Sequence, residues 1–198
     1  MTETPAPQDN NKPTPDTGSL GADLRALRKS RKITLTDLAE RCGKSVGWLS
    51  QVERDISTPE ISDLRTFAEI FDVPMSLFLK PAQTEDAESG LIVRAGSRRI
   101  IGETSSGLVE ELLSPDLTDS FEVVHSTFQP GGSSGEAVIR QTQELAYLIS
   151  GKLDLWIDGQ KFTIKAGDSF RIRAQEFRWA NPYRQPAVAV WVISPPVY

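Results

Sequence analysis

Apolar residues recur at spacings of three and four between Leu20 and Phe78, then at spacings of two from about Leu91 onward. The first rhythm predicts helices with one apolar stripe each, and the second predicts short strands with one buried face. Leu24 and Leu27 mark a first helix. Leu35, Leu38 and Ala39 mark a second, and Leu49 and Val52 a third. Ile61, Leu64, Phe67, Ala68 and Phe71 mark a fourth, and Leu77 and Phe78 close a short fifth after Pro74. Thr34 and Asp37 form a capping pair, and Gly43 supplies a left-handed residue after the second helix. Ser45 is an N-cap for the third, and Thr58-Pro59 an N-cap followed by proline at the first position of the fourth.

The later region consists of short runs, LIVR, EVVHSTF, LDLWID, KFTI, SFRIR and AVAVWVI, divided by Gly, Pro, Asp and Asn. They predict an all-β sandwich or barrel. Asp158-Gly159, between LDLWI and KFTI, is a two-residue hairpin signal. Residues 1–18 carry Pro5, Pro7, Pro13 and Pro15 among polar residues and predict a disordered tail. Residues 81–90, PAQTEDAESG, have no period and predict a linker. The expected organisation is a tail at 1–18, a helical domain at 19–80, a linker at 81–90 and a β domain at 91–198.

Composition narrows the chemistry. With a single cysteine, Cys42, an internal disulfide framework is excluded, and a reducing cytoplasm is expected. No run reaches the ~18–20 apolar residues that span a bilayer, so no membrane partner is expected. The start, MTETPAPQDN, lacks the basic and apolar segments of a secretory signal. A net charge of −5 argues against a globally basic nucleic-acid binder but leaves a local basic face open. The single histidine, His125, argues against multi-imidazole metal sites and serine-type triads. In EVVHSTF it reads as a packed strand residue, with catalysis the alternative, and Cys42 as a small buried hydrophobe, with redox sensing the alternative.

Two short helices joined by a tight glycine turn form a helix-turn-helix unit. Residues 20–80 resemble the five-helix, lambda-repressor-like DNA-binding domain of the phage-repressor, xenobiotic-response-element (XRE) type. The resemblance rests on Leu38-Ala39, Gly43, Ser45, Leu49-Ser50, Glu53-Arg54 and Pro59 in DLAERCGKSVGWLSQVERDISTP. Leu35 stands where a glutamine is common, removing one phosphate donor. Asp55 stands where glycine is frequent and is expected only to alter a turn. The resemblance implies that the third helix enters the major groove of double-stranded DNA. Val46, Gly47, Ser50 and Gln51 would face base edges, and Lys44, Ser45, Arg54, Ser57 and Thr58 the phosphates. One such domain makes few contacts, so a homodimer on a palindromic operator is implied. The basic segment from Arg25 to Lys32 is either a further phosphate contact or a solvated face.

The stretch from Phe128-Gln129-Pro130-Gly131-Gly132 through Gly135-Glu136, Glu144, Gly151, Asp158-Gly159 and Ala166-Gly167-Asp168 to Asn181 resembles a cupin. That family is a double-stranded β-helix, or jelly roll, enclosing a pocket. The implied fold class is multidomain α + β, with a helical DNA-binding domain followed by an all-β cupin. This pairing resembles bacterial transcription regulators, and QPGGSSGE is similar to regulators of putrescine and related amine utilisation. Where cupin enzymes carry metal ligands, this chain has Val138, Arg140, Glu144 and Phe177. A guanidinium cannot deprotonate to bind a metal, so a pocket without metal or cofactor is expected. Arg140, Glu144, Tyr147, Trp156, Phe177 and Trp179 are the expected lining of a small-molecule effector site for an amine, amino acid or carboxylate. Two readings of Arg140 and Glu144 stay open: a zwitterion-binding pair, or a structural ion pair in a filled barrel that only dimerises. The implied function is a non-enzymatic, sequence-specific regulator, chiefly a repressor. A cupin enzyme with an attached DNA-binding domain and a constitutive regulator are the alternatives.

Overall fold

In the computed structural model, residues 19–73, 75–79, 88, 90–101 and 106–197 are described. The expected tail at 1–18 and most of the 81–90 linker lie outside them. The helical region holds α1 Leu20–Ser30, α2 Leu35–Arg41, α3 Val46–Val52 and α4 Ile61–Phe71. Ser19, Thr34 and Ser45 cap the first three: each side-chain oxygen accepts a backbone N–H from the first turn. This satisfies donors that the helix itself leaves unpaired. Gly43 follows α2 at φ 66°. The fourth helix begins two residues later than its proline suggested, because Glu60 is its N-cap and donates its N–H to Asp63 at 3.0 Å. Among the described residues the expected fifth helix is a four-residue 3₁₀ turn, Met75–Phe78, too short for a run of α hydrogen bonds.

Among the described residues nine strands follow: β1 Arg99–Ile101, β2 Leu108–Leu112, β3 Glu122–Phe128, β4 Gln143–Ser150, β5 Lys152–Ile157, β6 Gln160–Lys165, β7 Ser169–Arg173, β8 Phe177–Ala180 and β9 Ala187–Ser194. They form two antiparallel sheets, ordered β1-β2-β3-β9-β4-β7 and β6-β5-β8. Asp158 and Gly159 both take positive φ at the β5–β6 hairpin, as a primed turn requires. LIVR, expected as a strand, turns at Leu91 and runs irregularly from Ile92 to Arg94. Leu91 and Ile92 both donate their N–H to the Glu88 carbonyl, and Leu91 is exposed with no strand to cover it.

The two cores meet at a seam. Leu112 and Leu117, from the β region, are buried in the same cluster as Leu24, Leu27, Leu77 and Phe78 of the helical region. Ile101 packs against both cores. The barrel core contains Phe128, Leu148, Leu153, Leu155, Trp179 and Trp191.

Candidate DNA-reading face and barrel cavity

Burial of Leu49 and Val52 turns α3 so that Val46, Gly47 and Gln51 are exposed and Ser50 half-exposed. Nothing lies within 4 Å of a Cβ built on Gly47. Gln51 Oε1 accepts from the Ser57 hydroxyl at 2.9 Å, and Arg54 Nε donates to the Ser50 carbonyl at 3.1 Å. Thr58 is exposed beyond them. Ser45 is engaged as the cap. Lys44 Nζ lies 2.7 Å from Asp63 and 4.8 Å from the Trp48 ring centre. Hydrogen bonding to Asp63 holds its ammonium above the usual lysine range.

Two long-range ties fix α3 to α1. Arg28 forks onto Glu53 at 2.6 and 2.9 Å and also donates to the Ile33 carbonyl. Arg28 therefore leaves the basic segment as a structural residue. Asp55, at φ 56°, accepts from the Gly21 N–H at 2.8 Å and from the Ser19 hydroxyl at 2.5 Å. Its role exceeds the altered turn expected of it: its carboxylate serves the start of α1.

The barrel encloses a cavity of about 610 Å³, its open mouth included. Arg140, Glu144, Phe177 and Trp179 line it, together with Leu108, Glu110, Phe128, Ser134, Val138, Ile172, Gln175, Trp191 and Ile193. Tyr147 does not line it. On β4, Glu144, Ala146 and Leu148 point inward, which turns Leu145, Tyr147 and Ile149 out. Trp156 does not line it either. It sits opposite the inward Leu155 on β5, with the Arg178 guanidinium 3.8 Å and Lys161 Nζ 5.1 Å from its ring centre. Arg140 and Glu144 form no ion pair. Arg140 is exposed, and buried Glu144 accepts from the Thr142 hydroxyl at 2.6 Å.

The sequence reading missed Glu110 and Glu122. Glu110 accepts from Ser126 at 3.1 Å, and burial pushes its carboxyl up. Glu122, the inward first residue of β3, is pushed up to about 7, chiefly by burial, with Glu110 and Glu144 adding to the effect and Arg140 opposing it. One Glu122 oxygen accepts from the Val197 N–H, and the other is buried with no partner among the described residues. On the cavity wall, the Trp191 indole N–H likewise has no partner among the described residues. An inward glutamate opposite a serine on a neighbouring strand was the available signal, but it needed the strand register to be seen. Asn181 is structural: it donates to the Phe128 and Gln185 carbonyls at 2.9 and 3.0 Å. His125 lies 3.2 Å from Glu111 on the far face of β3, and the Cys42 thiol donates to the Leu38 carbonyl. Among the described residues no group of three or more His, Cys, Asp or Glu is arranged to hold a metal ion.

Residues 24–78 match the helix-turn-helix family, and residues 124–193 match the cupin domain family. The chain is thus a helix-turn-helix transcriptional regulator carrying a C-terminal cupin domain. It is similar to the HTH-type transcriptional regulator PuuR of Escherichia coli K12, with 26% identity over 155 residues, 77% of this chain and 81% of that protein. It is also similar to SutR of the same organism, with 29% identity over 159 residues, 78% of this chain and 82% of that protein. A crystal structure of an HTH_3 family transcriptional regulator from Vibrio cholerae aligns over 90% of this chain and 96% of that one, at 21% identity and a TM-score of 0.43.

Proposed function

We propose that the chain is a homodimeric, non-enzymatic regulator of the bacterial cytoplasm, chiefly a repressor, whose cupin cavity binds a small metabolite and adjusts operator binding. The observation that carries the DNA-reading part is the free face of α3, where Val46, Gly47, Ser50 and Gln51 stand clear of the domain's own core. A helix presented this way fits the major groove, where side-chain amides and hydroxyls read base edges. Lys44, Ser45, Arg54, Ser57 and Thr58 flank it as phosphate contacts, which set register rather than sequence. A map of genomic sites bound by the chain tests the reading, since it requires a shared two-fold sequence motif. Scattered sites without a motif would refute it.

For the cavity, Glu110 and Glu144 with nearby Glu122 outnumber Arg140, and Phe177, Trp179 and Trp191 supply aromatic walls. That lining suits a cationic or zwitterionic metabolite, such as an amine or amino acid, better than a plain carboxylate. Thermal-shift screening against amines, amino acids and carboxylates tests it. Stabilisation confined to carboxylates would reverse the assignment.

Homodimerisation draws support from the outer face of the six-stranded sheet. Leu145, Tyr147, Ile149 and Val192 are exposed there, with Leu145 opposite Val192 and Tyr147 opposite Val190 in register. A continuous aromatic and aliphatic patch of this kind on a sheet is the expected mark of an interface. A second copy suits it, because the proposed two-fold operator requires one.

A further inference from the structure

Strand β2 belongs to both functional halves of the molecule. Its residues at two-residue spacing share one face. Leu108 and Glu110 line the barrel cavity, and Leu112, next on that face, is buried in the helical core. Its neighbour β1 runs in register, with Ile101 opposite Glu110 and Arg99 opposite Leu112. At the helical end Arg99 closes a clamp. Its guanidinium donates to Asp23 of α1 at 2.6 Å, to the Leu77 carbonyl at 2.8 Å and to the Pro115 carbonyl at 3.2 Å. The second Asp23 oxygen accepts from the Leu117 N–H at 3.0 Å. From Asp23 the path is short, because Gly21 and Arg28 on the same helix hold Asp55 and Glu53 at the end of α3.

We propose that Arg99 is the positioning residue through which occupancy of the cavity sets the orientation of α1 and α3, with β2 as the part that moves. The proposal rests on the sensing function argued above. A ligand shifts an equilibrium only through unequal contacts with two states, and a clamp that can be closed or open supplies them. Asp23 suits the role. It is almost wholly buried, and burial pushes its carboxyl up even with Arg99 beside it. The carboxylate is tolerated there only while the guanidinium and the Leu117 N–H are in place, so a shift of β2 that withdraws Arg99 leaves it uncompensated. The fork geometry matters, because one guanidinium serves a carboxylate and two carbonyls at once, which an ammonium at the same place cannot do.

Hydrogen exchange on the full chain, without DNA, tests this. A bulky side chain in the cavity stands in for a ligand in the V138W variant. We expect V138W to change protection several-fold at amides in α1 and in residues 111–117, as well as in the barrel. We expect R99K to abolish the remote part of that response and keep the barrel part. Where V138W does not fold, E110Q supplies the cavity perturbation. A response confined to the barrel, or a remote response that persists unchanged in R99K, would overturn the proposal. An Arg99 that only held the fold together would lower α1 protection alike with and without the cavity change. The readout needs neither operator nor effector, so failure of the sensing reading would show separately, in the thermal-shift screen, and failure of the DNA-binding reading in the genomic map.

Discussion

The backbone N–H of Gly21 donates to the Asp55 carboxylate at 2.8 Å, joining the first turn of α1 to the turn that ends α3. A Cβ on Gly21 would stand 2.4 Å from the Val52 carbonyl oxygen, so only glycine permits this approach. Gly21→Ala should destabilise the chain by about 2 kcal/mol, the scale of overpacking against backbone. Asp55→Gly keeps the left-handed backbone but loses the carboxylate, and should cost about 1 kcal/mol, like loss of a helix cap. Urea unfolding of the two variants measures both. Wild-type stability in Asp55→Gly would mean that the residue is only a turn.

The Arg28–Glu53 fork has both side chains mostly buried. Glu53→Ala leaves a guanidinium without its partner, and should destabilise by about 3 kcal/mol as broken buried pairs do. The helical region's loss of protection should exceed that of the barrel in hydrogen exchange.

Glu122 gives the stability a pH dependence whose sign is fixed. Its folded carboxyl lies at about 7, above its ordinary value of 4.5. The folded state therefore binds this proton more tightly than the unfolded state. Its contribution is full below the ordinary value and is lost as pH rises through about 7. Between about pH 5 and pH 8 the wild type should lose up to about 3 kcal/mol from this group, and Glu122→Gln should remove most of that slope. Denaturant unfolding at both pH values compares them. Equal slopes in the two proteins would assign the dependence elsewhere.

On the proposed reader helix, Gln51→Ala should relax sequence preference at one operator position by about 1–3 kcal/mol. Arg54→Ala should weaken binding to all sequences and lower the salt slope by about 1. Titrations at several salt concentrations against operator and scrambled duplexes separate the two effects. Unchanged binding in both variants would mean that another surface reads the DNA.

Tyr147→Glu puts a charge in the middle of the outer sheet face without touching the cavity. Sedimentation should show monomers at concentrations where the wild type is dimeric, with an unaltered circular dichroism spectrum. A variant as dimeric as the wild type would move the interface elsewhere.

The local chemistry of the chain determined a good deal. The caps at Thr34 and Ser45, the left-handed Gly43 and the Asp158-Gly159 hairpin each depend on groups only a few residues apart, so they were legible in order along the sequence. The helix-turn-helix followed by a barrel was legible for the same reason. The interior of the cavity was not. In QELAYLIS both alternate sets contain large apolar residues, and only pairing with β9 and β7 turned Glu144 in and Tyr147 out. A strand's period is local, but its phase is set by whatever covers it. Glu110 and Glu122 turn inward for the same reason, through the β2–β3–β9 register, and Trp156 leaves the cavity because Leu155 takes the inward position. The clamp between Asp23 and Arg99 spans 76 residues, a contact that no periodicity encodes. Tertiary packing alone decided it, because a buried carboxylate is tolerable only where the fold delivers a cation and an N–H to the same point.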